Sequence, residues 1–130
     1  MNQDLSRDAA ERGELAIRVL LMPKDTNERG TIFGGVILSY IDLAGAVEAR
    51  KNTNRRFVTV AMREVIFERP VYVGDVVSFY ARTIKRGRTS VTVRIHVEAQ
   101  RRSDPGEIVV VTTAESVFVA VDDDGHPTPL

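Results

Sequence analysis

Phe33-Gly34-Gly35-Val36-Ile37-Leu38-Ser39-Tyr40-Ile41-Asp42-Leu43-Ala44-Gly45-Ala46-Val47 is the stretch on which the fold turns. It has helical length and is apolar nearly all the way round, the pattern of a buried helix. Asp42 is the only charge between Arg29 and Glu48. A carboxylate in such a place is costly unless something pairs with it or uses it. Its neighbours one turn before and after are Leu38, Ser39, Gly45 and Ala46. Three of the four are small, so the carboxylate has room beside it, which points to a ligand site. The competing reading is a carboxylate satisfied by a structural hydrogen bond.

Outward from this stretch, the helix is expected from about Gly34 to Lys51, with Arg50, Lys51 and Asn52 suiting its negative end. Upstream, Glu14–Met22 alternates loosely and reads as a first strand, and Pro23–Gly30 reads as a loop. Residues 1–13 are polar and mixed in charge, and are expected to form a mobile N-terminal tail. Downstream of Asn54 the period changes to two. Phe57–Glu68 is rich in β-formers and stops at Pro70; Val76–Lys85 is a second long strand. Arg86-Gly87-Arg88 can turn the chain into Ser90–Gln100, where Val91, Val93, Ile95 and Val97 alternate with Thr92, Arg94, His96 and Glu98. Ser103-Asp104-Pro105-Gly106 is a turn, and Ile108–Val121 is the last strand.

The order is strand, helix, then four strands joined by short turns. Such a meander is antiparallel. The fold class is α+β: one long central helix wrapped by a curled antiparallel sheet. Because the helix is apolar on almost every side, either the sheet curls around it or a second subunit covers it.

At 130 residues the chain suits one domain, here 14–130, and can bury roughly two thirds of its unfolded surface. Formal net charge is zero, so no global field draws in nucleic acid or membrane. Cysteine is absent, which excludes disulfides and thiolate metal sites and fits a reducing cytoplasm. Met1-Asn2-Gln3-Asp4 leads into no apolar signal region, and no run is long and apolar enough to span a bilayer.

Three groups of residues could carry chemistry. Glycines opening a helix, Gly34 and Gly35 after Phe33, expose free backbone N–H groups that bind anions or a developing oxyanion. Asp42 lies two turns beyond Gly35, roughly 10 Å along the axis at 1.5 Å per residue. The plainer reading of the glycines is close packing of the helix start. Asn27, in the preceding loop, can orient a water or a carbonyl, although an asparagine there is most often a turn residue. Lys85-Arg86-Gly87-Arg88-Thr89-Ser90 offers cations and hydroxyls for a phosphate, or is simply a solvated hairpin tip.

Other chemistries fall away. His96 and His126 share no metal-ligand spacing and read as surface residues. No Gly-x-Ser-x-Gly elbow or phosphate-binding loop is present, and Ser39 has no histidine partner. One substantial helix cannot make a helix-turn-helix.

Taken together, Met22-Pro23-x-Asp25-Thr26-Asn27-x-x-Gly30-x-Ile32-Phe33-Gly34-Gly35 running into Asp42-Leu43-Ala44-Gly45 resembles the hot-dog-fold acyl-CoA thioesterases, and among them the YciA-like branch of bacterial acyl-CoA hydrolases. The likeness continues through Val58-Thr59-Val60-Ala61, Phe67-x-x-Pro70-Val71-x-Val73-Gly74-Asp75-Val76-Val77, Gly87-Arg88-Thr89-Ser90, Phe118-Val119-Ala120-Val121-Asp122 and Pro127-x-Pro129. It departs at Tyr40, Ile41 and Met62-Arg63, positions that bear on acyl-chain preference.

The resemblance implies a thioesterase with no cofactor, coenzyme A being part of the substrate. It implies Asp42 as the catalytic carboxylate, acting as general base or as nucleophile through a mixed anhydride. Asn27 would act with it from the opposite subunit. The backbone around Phe33, Gly34 and Gly35 would polarise the thioester carbonyl, and Arg86, Gly87, Arg88 and Ser90 would contact coenzyme A phosphates. The minimal active unit would be a homodimer, and a hexamer built as a trimer of dimers is the expected assembly. Two other classes stay in view: an acyl-CoA-binding or sensing module without catalysis, and a hydratase or dehydratase, which would want a histidine beside the acid.

Overall fold

The computed structural model describes residues 11–130, and residues 1–10 of the expected tail lie outside the described residues. The elements are β1 (Glu14–Leu20), a 3-10 turn (Pro23–Asp25), α1 (Gly34–Ala49), β2 (Arg56–Arg63), β3 (Val76–Arg86), β4 (Ser90–Gln100) and β5 (Ile108–Val121). All five strands join one antiparallel sheet in the order β1-β3-β4-β5-β2, and α1 lies across its inner face. The α+β architecture expected from the sequence is therefore present.

The alternation read along β4 sets the core. Val91, Val93, Ile95 and Val97 are fully buried. Paired inward residues of β3 and β5 (Val77, Phe79, Ala114, Phe118) complete the layer on which α1 rests. Gly45 is what lets the helix lie flat: a Cβ there would sit 2.7 Å from the tip of the Phe118 ring. Each fully buried aliphatic side chain in this layer contributes about 1.5–3 kcal/mol.

Three expectations about the helix and strands need correction. First, only β3, β4 and β5 form a meander; β2 sits at the far edge beside β5, and Glu64–Asp75 carries the chain back to β3. Second, β2 stops at Arg63 and not at Glu68. Glu64 takes a left-handed φ of 58°, which turns the backbone out of the ladder. Beyond it the chain keeps only isolated ties to β5: Thr112 Oγ1 donates to the Ile66 carbonyl at 2.6 Å and Glu68 N–H to the Val111 carbonyl at 2.8 Å.

Third, α1 is not buried all round. Ile37, Ile41, Ala44, Gly45 and Ala49 face the sheet, while Phe33 before the helix and Ser39, Leu43 and Val47 along it are exposed. Within one chain the sheet covers one face only. The second of the two sequence alternatives, cover by another subunit, is the one this geometry leaves open.

The outer face of the sheet is polar in its middle. Arg12 donates to Glu98 at 2.9 Å and lies over the Tyr80 ring, and His96 Nε2 is 3.0 Å from the same Glu98 carboxylate. His96 is thus half-buried and partnered, not the free surface residue its strand position suggested. Burial would raise the Glu98 carboxyl, but His96 and Arg12 outweigh it and hold that group below its ordinary value. Among the described residues, no helix is long and apolar enough to cross a membrane.

Candidate active site

The start of α1 is pinned from two sides. Ile32 N–H donates to the Val71 carbonyl and Phe33 N–H to the Asp25 carbonyl, both at 2.8 Å. This leaves Gly34 and Gly35 as the first helical residues, where N–H groups have no partner one turn back. A Cβ on Gly35 would come within 2.6 Å of the Phe33 ring, so close packing accounts for that glycine. It does not account for Gly34: a Cβ there would meet only the Phe67 ring at 3.8 Å, ordinary contact. The chain's own packing would accept alanine at that point. An open cavity of about 310 Å³ adjoins it, walled by Ile32, Gly34, Ile37, Phe67, Pro70 and Val71 together with Glu68 and Arg69. It is apolar enough for an alkyl chain and adjoins the free N–H groups.

Asp42 lies half-exposed on α1, and its Oδ1 accepts the Thr59 hydroxyl at 2.6 Å. Thr59 is on β2, registered opposite Phe118, and so shares the inner face of the sheet. Sequence reading missed Thr59. The signal was there: it is the hydroxyl at an inward position of the period-two run Phe57-Val58-Thr59. One short hydrogen bond orients one carboxylate oxygen, and the other has no hydrogen bond among the described residues.

Asn27 is not brought to Asp42 within the chain. Its Oδ1 accepts from Arg29 N–H at 2.9 Å and Thr31 N–H at 3.2 Å, and its Nδ2 donates to Thr31 Oγ1 at 3.0 Å. These bonds make a side-chain-closed turn directly before the helix. One Nδ2 hydrogen remains for an outside acceptor.

Arg86, Gly87, Arg88 and Ser90 form the β3–β4 hairpin tip. Gly87 N–H donates to the Ser90 carbonyl at 2.8 Å, and a Cβ on Gly87 would lie 2.6 Å from Ser90 Oγ. The tip docks at the C-terminal end of α1, where Arg86 Nη2 donates to the Asn52 carbonyl at 3.4 Å. The expected site residues therefore fall into three places: the helix start with its cavity, Asp42 with Thr59, and the basic hairpin beyond. Exposed apolar residues occur at Phe33 and along α1 at Leu43 and Val47, on β2 at Val58 and Val60, and at Phe67 in the loop after β2.

The Gly-Asp-rich motifs that take no part here have structural uses. Asp75 is 2% exposed, pairs with Arg101 at 2.7 Å and accepts the Tyr72 and Arg102 N–H groups. Asp122, Asp124 and His126 cluster within 4.8 Å at an exposed turn, where Asp122 Oδ1 accepts the Asp124 and His126 N–H groups.

A helix cradled by a five-stranded antiparallel sheet, opening on glycines and bearing a mid-helix carboxylate, defines the hot-dog thioesterase class. Residues 29–105 match the family model described as "Thioesterase superfamily". Over 125 residues the chain is 46% identical to the acyl-CoA thioester hydrolase YciA of Salmonella typhimurium, covering 95% of this chain and 94% of that one. Two solved structures superpose along most of their length. The hexameric hot-dog thioesterase Cj0915 of Campylobacter jejuni matches with a TM-score of 0.86 at 42% identity, over 92% of each chain. The hexameric thioesterase y2039 of Yersinia pestis matches with a TM-score of 0.86 at 45% identity, over 91% of this chain and 95% of that one. The chain belongs to the family of YciA-type acyl-CoA thioester hydrolases.

Proposed function

We propose that this acyl-CoA thioester hydrolase works through a site shared between two subunits, with Asp42 of one facing the helix start of the other. The observation that carries this is a separation. Gly35 and Asp42 are seven residues apart on one straight helix, so roughly 10 Å divides the N–H donors from the carboxylate along the axis. Within the chain Asn27 is likewise held in its own turn and is not brought to Asp42. Antiparallel pairing of two copies of α1 through their open faces would bring one helix start beside the other's Asp42. The exposed Leu43 and Val47 of α1 would be covered in the process. A homodimer is then the minimal active unit. The hexameric state named for both solved relatives supports a trimer of dimers as the full assembly.

In this site the N–H groups of Gly34 and Gly35 stabilise the oxyanion as water adds to the carbonyl. Asp42, oriented by Thr59, takes the proton of that water. Collapse of the tetrahedral intermediate breaks the C–S bond. Coenzyme A leaves as a thiolate that recovers a proton, and the acid is released. Asn27 from the other subunit uses its spare N–H to hold the water or the carbonyl. The cavity beside Phe67 takes the first carbons of the acyl chain. The Arg86–Ser90 hairpin receives the phosphates of coenzyme A, with no separate cofactor. Cytoplasmic acyl-CoA is the substrate pool, and neither nucleic acid nor membrane is a partner.

Thiol release across a series of acyl-CoA chain lengths tests the activity, with Asp42→Ala and Asn27→Ala as controls. Co-expression of the two inactive variants tests the shared site, because a mixed dimer regenerates one intact site. Recovery of about a quarter of wild-type turnover is expected for random pairing. Binding of acyl-CoA without thiol release would favour the sensing reading, and no recovery on mixing would place each site within one chain.

A further inference from the structure

The basic hairpin does not stand alone. The chain end folds back over it: Val121 bridges Pro127, Thr128 N–H donates to the Ala120 carbonyl at 2.9 Å, and Leu130 N–H donates to the Arg88 carbonyl at 3.0 Å. Leu130 is half-buried and packs against the core. From the opposite side Arg55 Nε donates to the Pro129 carbonyl at 3.3 Å. One short segment thus ties the β3–β4 tip to the residue that leads into β2. These elements are separated by more than thirty positions in sequence, so the sequence alone does not single out Arg55.

The cations gathered here share a second property. Arg12, Arg63, Arg94 and Arg101 elsewhere in the fold, and Lys51 near the helix end, each make an ion pair. Among the described residues, Arg55, Arg86 and Arg88 make none, and neither do Arg18, Arg29, Arg50, Arg56, Arg69, Arg82, Lys85 and Arg102; what marks the first three is their shared tie to the Pro127–Leu130 segment and the hairpin. All three are exposed. Each Arg55 and Arg86 spends one N–H on a backbone carbonyl, which fixes the guanidinium and leaves its other donors open. Arg56 is registered opposite Val121 on β2 and has no tie to the Pro127–Leu130 segment among the described residues. Guanidinium groups held by carbonyls and lacking carboxylate partners suit phosphate recognition. The helix links the two functions in space, since Asn52, which anchors Arg86, follows the α1 end about 15 Å beyond Asp42 at 1.5 Å per residue.

We propose that Arg55 is a further phosphate-binding residue for the nucleotide end of coenzyme A, and that Pro127–Leu130 is the strap that sets Arg55 and the Arg86–Arg88 tip as one seat. This rests on the hairpin reading given under the proposed function. It adds a residue and a device: a loose strap would let the cations spread and weaken binding without touching Asp42.

The test compares wild type, Arg55→Gln, Arg55→Lys and Leu130→Ser in two measurements. One is calorimetric binding of free coenzyme A; the other is turnover of an acyl-CoA beside the matching acyl-pantetheine, which keeps the thioester but lacks the nucleotide phosphates. Arg55→Gln is expected to weaken coenzyme A binding about tenfold and raise KM for acyl-CoA equally. Its kcat and its acyl-pantetheine kinetics should be unchanged. Arg55→Lys should recover part of the loss, and Leu130→Ser should lose several-fold in the same pattern. Unchanged coenzyme A affinity in Arg55→Gln overturns the proposal, as does an equal loss on both substrates, which would mark a structural role. Wild type that binds coenzyme A through Arg55 and hydrolyses nothing would sink the proposed function and leave this inference standing.

Discussion

Gly34→Ala separates a packing glycine from a site glycine. The added Cβ would make one ordinary contact, 3.8 Å from the Phe67 ring, and Gly34 is not in the left-handed region that only glycine tolerates well. Nothing among the described residues opposes the methyl, and the unfolded chain loses freedom on the change. Folding stability should therefore hold or rise by up to about 1 kcal/mol. Activity should move the other way. The methyl stands at the first turn of α1, beside the free N–H groups and on the wall of the apolar cavity. Loss of a whole oxyanion donor costs about 100- to 1000-fold in kcat. Crowding that leaves the donor in place should cost less, roughly 10- to 100-fold on the same scale. Urea unfolding and thiol release from a short acyl-CoA give the two readings. A stable variant with full turnover would remove Gly34 from the site. A variant destabilised by more than about 1 kcal/mol would return the glycine to a packing role and refute the reasoning from its surroundings.

Other outcomes follow from the same geometry. Thr59→Val removes the 2.6 Å hydrogen bond to Asp42 and keeps the β-branched shape; kcat should fall about tenfold with stability within about 1 kcal/mol, read by thiol release and urea unfolding. Asp75→Ala leaves the half-buried Arg101 guanidinium and the Tyr72 and Arg102 N–H groups without their acceptor and should cost about 3 kcal/mol in urea unfolding. The folded Glu98 carboxyl lies below its ordinary value of 4.5, so its stabilisation is complete above that pH and disappears as pH falls through the folded value. Glu98→Gln should flatten the acid side of a stability–pH curve below about pH 4.5, and an unchanged acid limb would show that His96 and Arg12 do not act on it.

Much of the fold was legible because two periodicities are strong. The alternation of β4 and the apolar run of α1 each met its counterpart in the core, and the α+β class followed. The position of β2 was not legible. Local pattern gives strand type but not partner, and the turn out of the ladder depends on a left-handed Glu64 that no composition rule announces. The apparent burial of Asp42 misled for a related reason: hydrophobicity along α1 records surface covered by any partner, and one chain covers only the Ile37–Ile41–Ala44 face. At the site, Gly34, Gly35 and Asp42 stood out as residue types in unusual surroundings. Thr59 and Arg55 did not, since each gains its meaning only from a contact across the fold, to Asp42 and to Pro129. Asn27 taken alone reads most often as a turn residue, and within one chain that is what its hydrogen bonds make it.

The most direct test of the central claim is single-turnover thiol release by Asp42→Asn at saturating acyl-CoA, with bound substrate measured on the same sample. Asparagine keeps the shape and can still accept the Thr59 hydroxyl, but it is neither a base nor a carboxylate nucleophile. Substrate should bind with about wild-type affinity while the rate of thiol release falls by 1000-fold or more, on the order of 4 kcal/mol in the barrier. Release at the wild-type rate would show that the carboxylate in the middle of α1 does not carry the chemistry.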